Sequence, residues 1–379
     1  MRELLTSVVL VLLATTTAPA RAEELTWTSV VAGEGGTSCA IRSDGTLWCW
    51  GVNWRNTVGP DGLDTSRPVR VDDSRAWASV ASAYTHTCAT RTDGSLWCWG
   101  ENTDGALGIG ESTGKVEHPV RVGTDTWRSV DVTGQKTCAI RADGSLWCWG
   151  GYWAGPGADA AVRRRSPQRV GDGADWTAVS LESNRTCGLR APGTLWCWDS
   201  LSDDPEEGPA VRVGASATWA AISVRSERIC GVDHDAALWC WGSNRDGRLG
   251  DGTDIDRAAP VRIGAGTSWA SVSGGGGHTC ALTTGGATWC WGGNTDGEIG
   301  DGTTIIRYVP VPVNTDLTWR AISAGGEHTC GLTTGGRVWC WGADSRFELG
   351  DGTAAASLPS CSAPSTSAPA RPSVPTPTP

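Results

Sequence analysis

The cysteines are the residues whose type and spacing first suggest chemistry. Fourteen of the fifteen form pairs with nine residues between the partners, and the pairs recur at steps of 49, 50, 49, 43, 50 and 50 residues. The seven pairs are Cys39 and Cys49, Cys88 and Cys98, Cys138 and Cys148, Cys187 and Cys197, Cys230 and Cys240, Cys280 and Cys290, and Cys330 and Cys340. Thiols in this arrangement could form disulfide bonds or bind metal ions.

The spacing favours disulfides over a metal site. Structural zinc sites usually bring ligands that are two to four residues apart, and no pair of cysteines here has that separation. We therefore expect seven disulfides, no metal and no cofactor. Cys361 lies outside the repeat and would be free or paired between chains.

The N-terminus predicts export, which disulfides also require. Residues Met1 to Ala22 combine an early arginine, an apolar run from Leu4 to Leu13 and a small-residue end, the pattern of a signal peptide. The apolar run is too short to span a bilayer. Because the first cysteine is Cys39, we expect no lipoprotein anchor and a secreted, periplasmic or cell-surface protein. A formal net charge of −10 argues against nucleic acid as a partner.

Each cysteine pair lies inside a unit of four short strand signals. A strand opens with tryptophan, as in Trp77 to Val80, and two strands follow that carry the first and the second cysteine. A longer loop leads to a fourth strand such as Pro119 to Val122. Seven units of this length and strand content predict an all-β fold, a seven-bladed β-propeller with four-stranded antiparallel blades.

The cysteine spacing also predicts the turn between the second and third strands. In the first unit, a three-residue loop from Ser43 to Gly45 would pair Arg42 with Thr46 and Cys39 with Cys49. Such a loop favours glycine at its third position, where the backbone turns left-handed. Six units have glycine there, and only the fifth departs, with Ala236. Directly opposed cysteines are within disulfide range, so we expect one disulfide inside each blade.

The tryptophans are a candidate sugar-binding surface, but their positions favour packing. Of the 23 tryptophans, 21 open the first strand or flank the second cysteine. Within Leu47 to Trp50, leucine and cysteine point to one face of the strand and both tryptophans to the other. Both faces of a blade are therefore apolar, as expected for blades packed between neighbours. Only Trp54 and Trp153 fall outside this pattern.

The repeat resembles that of the regulator of chromosome condensation family. Residues Gly275 to Leu282, Trp289 to Asn294 and Ile299 to Thr303 show the motif best. The resemblance covers about 330 residues and implies a seven-bladed propeller. The founding member promotes nucleotide exchange on a small nuclear GTPase and binds chromatin, a role that export and disulfides contradict. Exported propellers that inhibit β-lactamases share the repeat and are closer in compartment.

The loops of a blade divide between two faces, which locates a candidate partner surface. Loops between strands one and two share a face with those between strands three and four, and they vary where the opposite turns are uniform. On this face, Trp54, Trp153 and Tyr152 are candidate contact aromatics. The basic run Arg163, Arg164 and Arg165 follows close by. A tryptophan lying flat over its own loop and a solvated charge run are the alternatives.

A further set of candidates stands two positions before each first cysteine. The set consists of Thr37, His86, Lys136, Arg185, Arg228, His278 and His328. In a closed ring these residues would form a basic circlet around one channel mouth and could hold an acidic side chain or another anion. The alternative is that each donates a hydrogen bond within its own loop.

The sequence therefore predicts a non-enzymatic, secreted propeller that binds another macromolecule. We find no serine elbow, phosphate loop or zinc-type histidine pair. An extracellular protein is the expected partner, acting on the face of the variable loops. A carbohydrate partner and inhibition of an extracellular enzyme are the alternatives. The expected organisation is a signal peptide at 1–22, the propeller at 23–362 and a disordered Pro/Ser/Thr-rich tail at 363–379, with a degenerate last strand near Leu358 to Ser362.

Overall fold

The computed structural model describes residues 25–59, 62–111, 113–151, 164–182, 185–199, 211–213 and 218–354. The predicted signal peptide, the tail, the last strand near Leu358 and Cys361 lie outside these ranges. The described residues form 27 β-strands and one short 3-10 helix at Arg245–Gly247.

The strands fall into seven consecutive groups, each of which is one blade. Blades 1 and 2 contain β1 (Trp27–Ala32), β2 (Thr37–Arg42), β3 (Leu47–Gly51), β4 (Thr65–Arg70), β5 (Trp77–Ser82), β6 (His86–Arg91), β7 (Leu96–Glu101) and β8 (Lys115–Arg121). Blades 3 and 4 contain β9 (Trp127–Thr133), β10 (Lys136–Arg141), β11 (Leu146–Gly150), β12 (Arg164–Arg169), β13 (Trp176–Glu182), β14 (Arg185–Arg190), β15 (Thr194–Asp199) and β16 (Val211–Val213).

Blades 5 to 7 continue the same order. Blades 5 and 6 contain β17 (Trp219–Arg225), β18 (Arg228–Asp233), β19 (Leu238–Gly242), β20 (Arg257–Ile263), β21 (Trp269–Gly274), β22 (His278–Thr283), β23 (Thr288–Gly292) and β24 (Arg307–Pro312). Blade 7 contains β25 (Trp319–Ala324), β26 (His328–Thr333) and β27 (Val338–Gly342).

The sheets confirm the predicted seven-bladed propeller. Six of them are four-stranded with the strands in chain order, and the part of blade 7 that the structure covers has three strands. Within the described ranges, all paired strands are antiparallel, as in β1 with β2 and β2 with β3. Blade 7 packs against blade 1, since β1 contacts both β25 and β26. The ring is therefore closed.

The disulfides and their register are also confirmed. In blade 1, Cys39 pairs with Cys49 across β2 and β3, and the turn is closed by the Arg42 amide donating to the Thr46 carbonyl at 2.9 Å. All seven predicted pairs are bonded, each with 4.1 Å between the two Cα atoms. Gly45 has a φ of 77°, and Ala236, which takes the equivalent place in blade 5, has a φ of 59°.

The core is divided into the interfaces between blades. The tryptophan face of one blade packs on the cysteine face of the preceding blade, as where Trp50 meets Cys330 and Cys340. Trp27 and Trp50 of that interface have ring centroids 6.5 Å apart, and equivalent indole pairs recur in all seven blades. The prediction of core packing is confirmed for these fourteen tryptophans. The seven that precede the second cysteine, such as Trp48, are half-buried.

One backbone carbonyl in each of several long loops joins neighbouring blades. The Ala106 carbonyl accepts hydrogen bonds from Trp149 Nε1 at 2.9 Å and from Thr137 Oγ1 at 2.8 Å. The Glu298 carbonyl accepts from Trp341 Nε1 and Thr329 Oγ1, both at 2.8 Å. In this way the loop between strands three and four is fixed to the core of the next blade.

A second set of bonds joins the innermost strands. Ser180, Ser223, Ser273 and Ser323 each accept a hydrogen bond through Oγ from a backbone amide of the following blade. The last of these links blade 7 to blade 1, because Ser323 accepts from the Ala32 amide at 3.0 Å. Asp131 makes the equivalent bond with the Leu181 amide at 2.8 Å.

Blade 7 departs from blades 1, 2, 5 and 6 at a buried loop position that is asparagine in those four blades. Asn244 and Asn294 accept from the amides of Leu249 and Ile299 and donate through Nδ2 to carbonyls of their own loops. In blade 7 the residue is Asp344, which accepts from the Leu349 amide at 3.0 Å. Its Oδ2 is buried with no hydrogen-bond partner among the described residues. Burial raises the pKa of this carboxyl to about 7.

Removing one disulfide should weaken the scaffold measurably. For the double variant Cys138→Ser with Cys148→Ser, we expect the free energy of unfolding to fall by about 2–3 kcal/mol, because the bridge closes a short loop in the unfolded chain. Thermal denaturation followed by circular dichroism, without and with reductant, measures the change. A melting temperature equal to that of the wild type without reductant would contradict this role.

Asp344 should make stability fall with rising pH. The folded state holds its proton up to a pKa of about 7, against 3.8 for an ordinary aspartate, so stability is lost as pH rises between these values. We expect Asp344→Asn to raise stability at pH 8 by about 1–3 kcal/mol, because the amide can donate where the carboxylate cannot. Melting temperatures at pH 5 and pH 8 measure this. Asn294→Asp, the matched reverse change in blade 6, should show the opposite effect.

Candidate functional site

The variable loops gather around the mouth of a central channel. The innermost strands line the channel with small and aliphatic side chains, together with Asp131 and Arg225, around a cavity of about 210 Å³. Loops between strands one and two surround this mouth, and loops between strands three and four lie on the same side. We call this side the loop face.

A single glutamate crosses the mouth of the channel. Glu34, in the first loop of blade 1, forms an ion pair with Arg225 of blade 5. It also accepts from Thr133 Oγ1 at 3.0 Å and from the Gly134 amide at 3.3 Å, both of blade 3. Because one carboxylate binds two other blades, the mouth is bridged and the loop face is continuous across it.

Burial shifts the acid-base behaviour of the groups near the channel. It lowers the pKa of Arg225 to about 10, so the guanidinium stays charged at neutral pH. It raises the pKa of Asp131 to about 6, and the bond from the Leu181 amide opposes this rise. Arg225 therefore faces Glu34 as a charged guanidinium at neutral pH.

The predicted basic circlet lies inside the ring and bonds to neighbouring blades. His86 Nε2 lies 2.7 Å from Thr137 Oγ1. The same contact to the next blade is made by Lys136, Arg228, His278 and His328, whose partners are Thr186, Thr279, Thr329 and Ser38. Thr37 contacts Thr57 Oγ1 at 2.8 Å and donates to the Val52 carbonyl. Arg185 is half-buried at the same position.

Five members of the circlet therefore bond to the next blade, whereas Thr37 bonds within its own blade. Burial lowers the pKa values of His86, His278 and His328 to about 4, 3 and 4, so these imidazoles are neutral at neutral pH. Burial also lowers the pKa of Arg228, to about 9. Anion binding by the circlet stays a prediction, and the burial of its members disfavours it.

Trp54 belongs to an exposed aromatic cluster on the loop face. Its ring meets Tyr84 of blade 2 edge-on, with centroids 5.8 Å apart, and the two side chains are 37% and 48% exposed. The Arg55 guanidinium lies 3.9 Å from the Trp54 centroid and 5.1 Å from that of Tyr84. Arg55 is paired with Glu101. We call Trp54, Arg55, Tyr84 and Glu101 the aromatic patch.

Of this patch the sequence analysis named only Trp54 and missed Arg55, Tyr84 and Glu101. Tyr84 is the aromatic residue among those missed. It stands in the loop between strands one and two, where the equivalent positions of blades 6 and 7 are Gly276 and Gly326. An aromatic residue in place of glycine could have been found by overlaying these loops.

The other candidates lie apart from the patch or outside the described ranges. Arg164 and Arg165 begin β12 in blade 3, and the Arg165 carbonyl accepts from the Gly110 amide at 2.8 Å. The Arg165 side chain is exposed and that of Arg164 is half-buried. Tyr152, Trp153 and Arg163 fall outside the part of the chain that the structure describes.

The described ranges contain neither a candidate membrane-spanning helix nor a candidate metal site. No helix there has the length and apolar character needed to cross a membrane. In those same segments, no group of three or more histidine, cysteine or acidic side chains is arranged to hold a metal ion.

Comparison with protein families gives repeated matches to one repeat. Two family models, both described as the regulator of chromosome condensation (RCC1) repeat, match the chain. The first covers residues 93–140, 235–282 and 285–332, and the second covers residues 77–106, 269–298 and 319–347. A comparison with curated protein sequences found no match.

Solved structures with the same fold come from several kinds of protein. The chain is 18% identical to Prp20p from Saccharomyces cerevisiae, with a TM-score of 0.72 and 84% and 85% of the two chains covered. It is 17% identical to human WBSCR16, with a TM-score of 0.71 and coverage of 82% and 87%. The ectodomain of the Physcomitrella patens receptor kinase CR4 is 18% identical, with a TM-score of 0.54 and coverage of 84% and 73%. At these identities the likeness shows the fold alone.

Glu34 should hold the loops of the channel mouth together. We expect Glu34→Ala to lower the free energy of unfolding by about 1–3 kcal/mol, because Arg225 loses its carboxylate partner. Glu34→Gln retains hydrogen-bonding capacity without the charge and should cost less. Thermal denaturation of both variants measures the difference. Equal stability of wild type and Glu34→Ala would show that the bridge contributes nothing.

Proposed function

We propose that this propeller, whose blades are regulator of chromosome condensation repeats, is a secreted, non-enzymatic module that binds another protein through its loop face. The observation that carries the proposal is the aromatic patch. Exposed tryptophan and tyrosine side chains beside arginine are the residue types that most often dominate protein interfaces.

The construction of the patch supports a recognition role. Trp54 and Tyr84 come from different blades and hold each other edge-on, and Arg55 is fixed over both rings by its ion pair with Glu101. A patch that is already ordered loses little side-chain freedom when a partner binds. The patch therefore resembles a preformed contact surface.

The bridged channel supports binding across the face. Glu34 joins blades 1, 3 and 5 at the mouth, so a partner would meet a continuous surface of loops rather than an open tunnel. Loops on a rigid scaffold are where binding residues concentrate.

The disulfides support export as the setting of this function. Seven buried bridges would not persist in a reducing cytosol or nucleus. Prp20p binds Gsp1p and histones, and we do not carry these partners over to this chain, because the two sequences are only 18% identical.

The test is capture of partners from the extracellular medium of the producing cells by the mature chain. We expect the double variant Trp54→Ala with Tyr84→Ala to recover at least about tenfold less of a captured protein, since truncating interface anchors commonly has such an effect. Ile305→Ala is the matched control, because Ile305 is 60% exposed on a loop of blade 6.

The outcomes of this experiment separate the competing functions. Equal loss with Ile305→Ala, or no loss with the double variant, would contradict binding by the patch. If the captured protein is an enzyme whose activity falls on binding, the function is inhibition. If a glycan array gives binding that the double variant loses while no protein is captured, the function is carbohydrate binding.

A further inference from the structure

Four blades contain an arginine held between two tryptophans. In blade 2 the guanidinium carbon of Arg91 lies 4.7 Å from the ring centroid of Trp77 and 4.0 Å from that of Trp97. The first tryptophan opens the first strand and the second precedes the second cysteine. Equivalent contacts are made by Arg42, Arg141 and Arg190 in blades 1, 3 and 4. We call the space between these two indoles the slot of the blade.

In three of these blades an aspartate completes the slot. Asp72 follows the outer strand of blade 1, pairs with Arg91 at 3.1 Å and accepts a hydrogen bond from Trp77 Nε1 at 2.9 Å. Asp125 pairs with Arg141 at 2.6 Å, and Asp175 pairs with Arg190 at 2.7 Å. The chain itself therefore shows that a slot accommodates a guanidinium together with a carboxylate.

Blade 6 has lost each of these groups. Thr283 pairs with Trp269 in the register in which Arg91 pairs with Trp77. Gly264 follows Ile263 where Asp72 follows Val71. Ala287 stands where Ser95 accepts a hydrogen bond from the indole of Trp97 at 2.9 Å.

An open groove lies at the rim between blades 5 and 6, and both indoles of this slot belong to its lining. Its volume is about 330 Å³, and its lining includes Trp269, Trp289, Val309, Pro310, Asp251 and Arg262. Trp269 is only 2% exposed, yet its Nε1 has no hydrogen-bond partner among the residues described. The equivalent Nε1 of Trp127, Trp176 and Trp219 is also without a partner among the described residues, so this N–H is not particular to blade 6. A carboxylate placed as Asp72 is placed in blade 2 would satisfy it.

We propose that the slot of blade 6 binds an arginine side chain of a partner protein, together with a carboxylate of the same partner. The guanidinium would stack between Trp269 and Trp289, as Arg91 does between Trp77 and Trp97. The carboxylate would accept from Trp269 Nε1, as Asp72 does from Trp77. This site lies away from the aromatic patch and does not depend on the proposed function of the loop face.

The charges around the groove explain why the partner must supply both groups. Arg262 is exposed and repels a lone guanidinium. Asp251 cannot balance it, because its carboxylate is already paired with Arg257. A carboxylate from the partner would meet both Arg262 and the indole N–H of Trp269. An Arg-Asp sequence on an exposed loop has this chemistry.

The first test uses the peptide acetyl-Arg-Asp-amide with the mature protein. Binding is followed by the NMR signal of the Trp269 indole N–H, which we expect to shift with a dissociation constant on the order of millimolar. Acetyl-Lys-Asp-amide should bind more weakly, because an ammonium does not stack as a planar guanidinium does. No shift with the arginine peptide would overturn the proposal.

A variant that fills the slot from within gives the matched comparison. Thr283→Arg should place a guanidinium between Trp269 and Trp289 and weaken peptide binding at least tenfold. Thr284→Arg adds the same charge at the exposed neighbouring position of the turn and should leave binding within about twofold, since it does not enter the slot. Equal binding by wild type and Thr283→Arg, with both folded by circular dichroism, would refute the site.

The reverse change gives a readout that does not depend on the folding of Thr283→Arg. Arg91→Thr should open the slot of blade 2 while Asp72 stays in place, so that the indole N–H of Trp77 shifts with added guanidinium chloride at millimolar concentration. An unchanged Trp77 signal would show that the slots do not accept an external guanidinium. A sugar that shifts the Trp269 signal where the peptide does not would assign the groove to carbohydrate instead.

Discussion

The ring depends on a pair of hydrogen bonds that meet at one backbone carbonyl between blades. The Glu298 carbonyl accepts both the indole of Trp341 and the hydroxyl of Thr329. Two residues later, a Cβ on Gly300 would lie 2.7 Å from Trp341 Nε1, and its φ of 73° favours glycine for a second reason. The segment from Glu298 to Thr303 therefore acts as a joint between blades as well as a turn.

The same joint closes the ring. The Glu348 carbonyl of blade 7 accepts from Trp50 and Ser38 of blade 1, and His328 contacts Ser38 at 2.8 Å. Within the described segments no strand is shared between these two blades. Closure therefore rests on side-chain types that recur in most units, although blade 5 has Ile229 at the position of Ser38. The loops beyond each joint are free to differ. The aromatic patch arises from such a difference, because Tyr84 replaces a glycine.

The structure within each blade could be predicted from the sequence, because it follows from local spacing. The contacts between blades could not. The pairing of Cys39 with Cys49 follows from a three-residue turn, so register and disulfides were predictable. The bond from His86 to Thr137 spans 51 residues. Whether His86 bonds to the next blade or to its own loop depends on which face of one blade packs on the next. Overlaying the repeats does not show how the blades pack. Tyr84 contacts Trp54 across the same kind of boundary.

The position two before each first cysteine shows why chemically different residues can share one place. His86, Lys136 and Arg228 differ in length and charge, yet each reaches a threonine hydroxyl of the next blade. The requirement is a hydrogen-bonding group at the right reach, and the charge of Arg228 costs desolvation, which lowers its pKa. In the slots the opposite holds, since the guanidinium is chosen for its planar stacking between indoles. A repeat without a hydrogen-bonding group at the joint would weaken the ring. A repeat without the arginine of the slot, such as blade 6, has a groove at the rim instead.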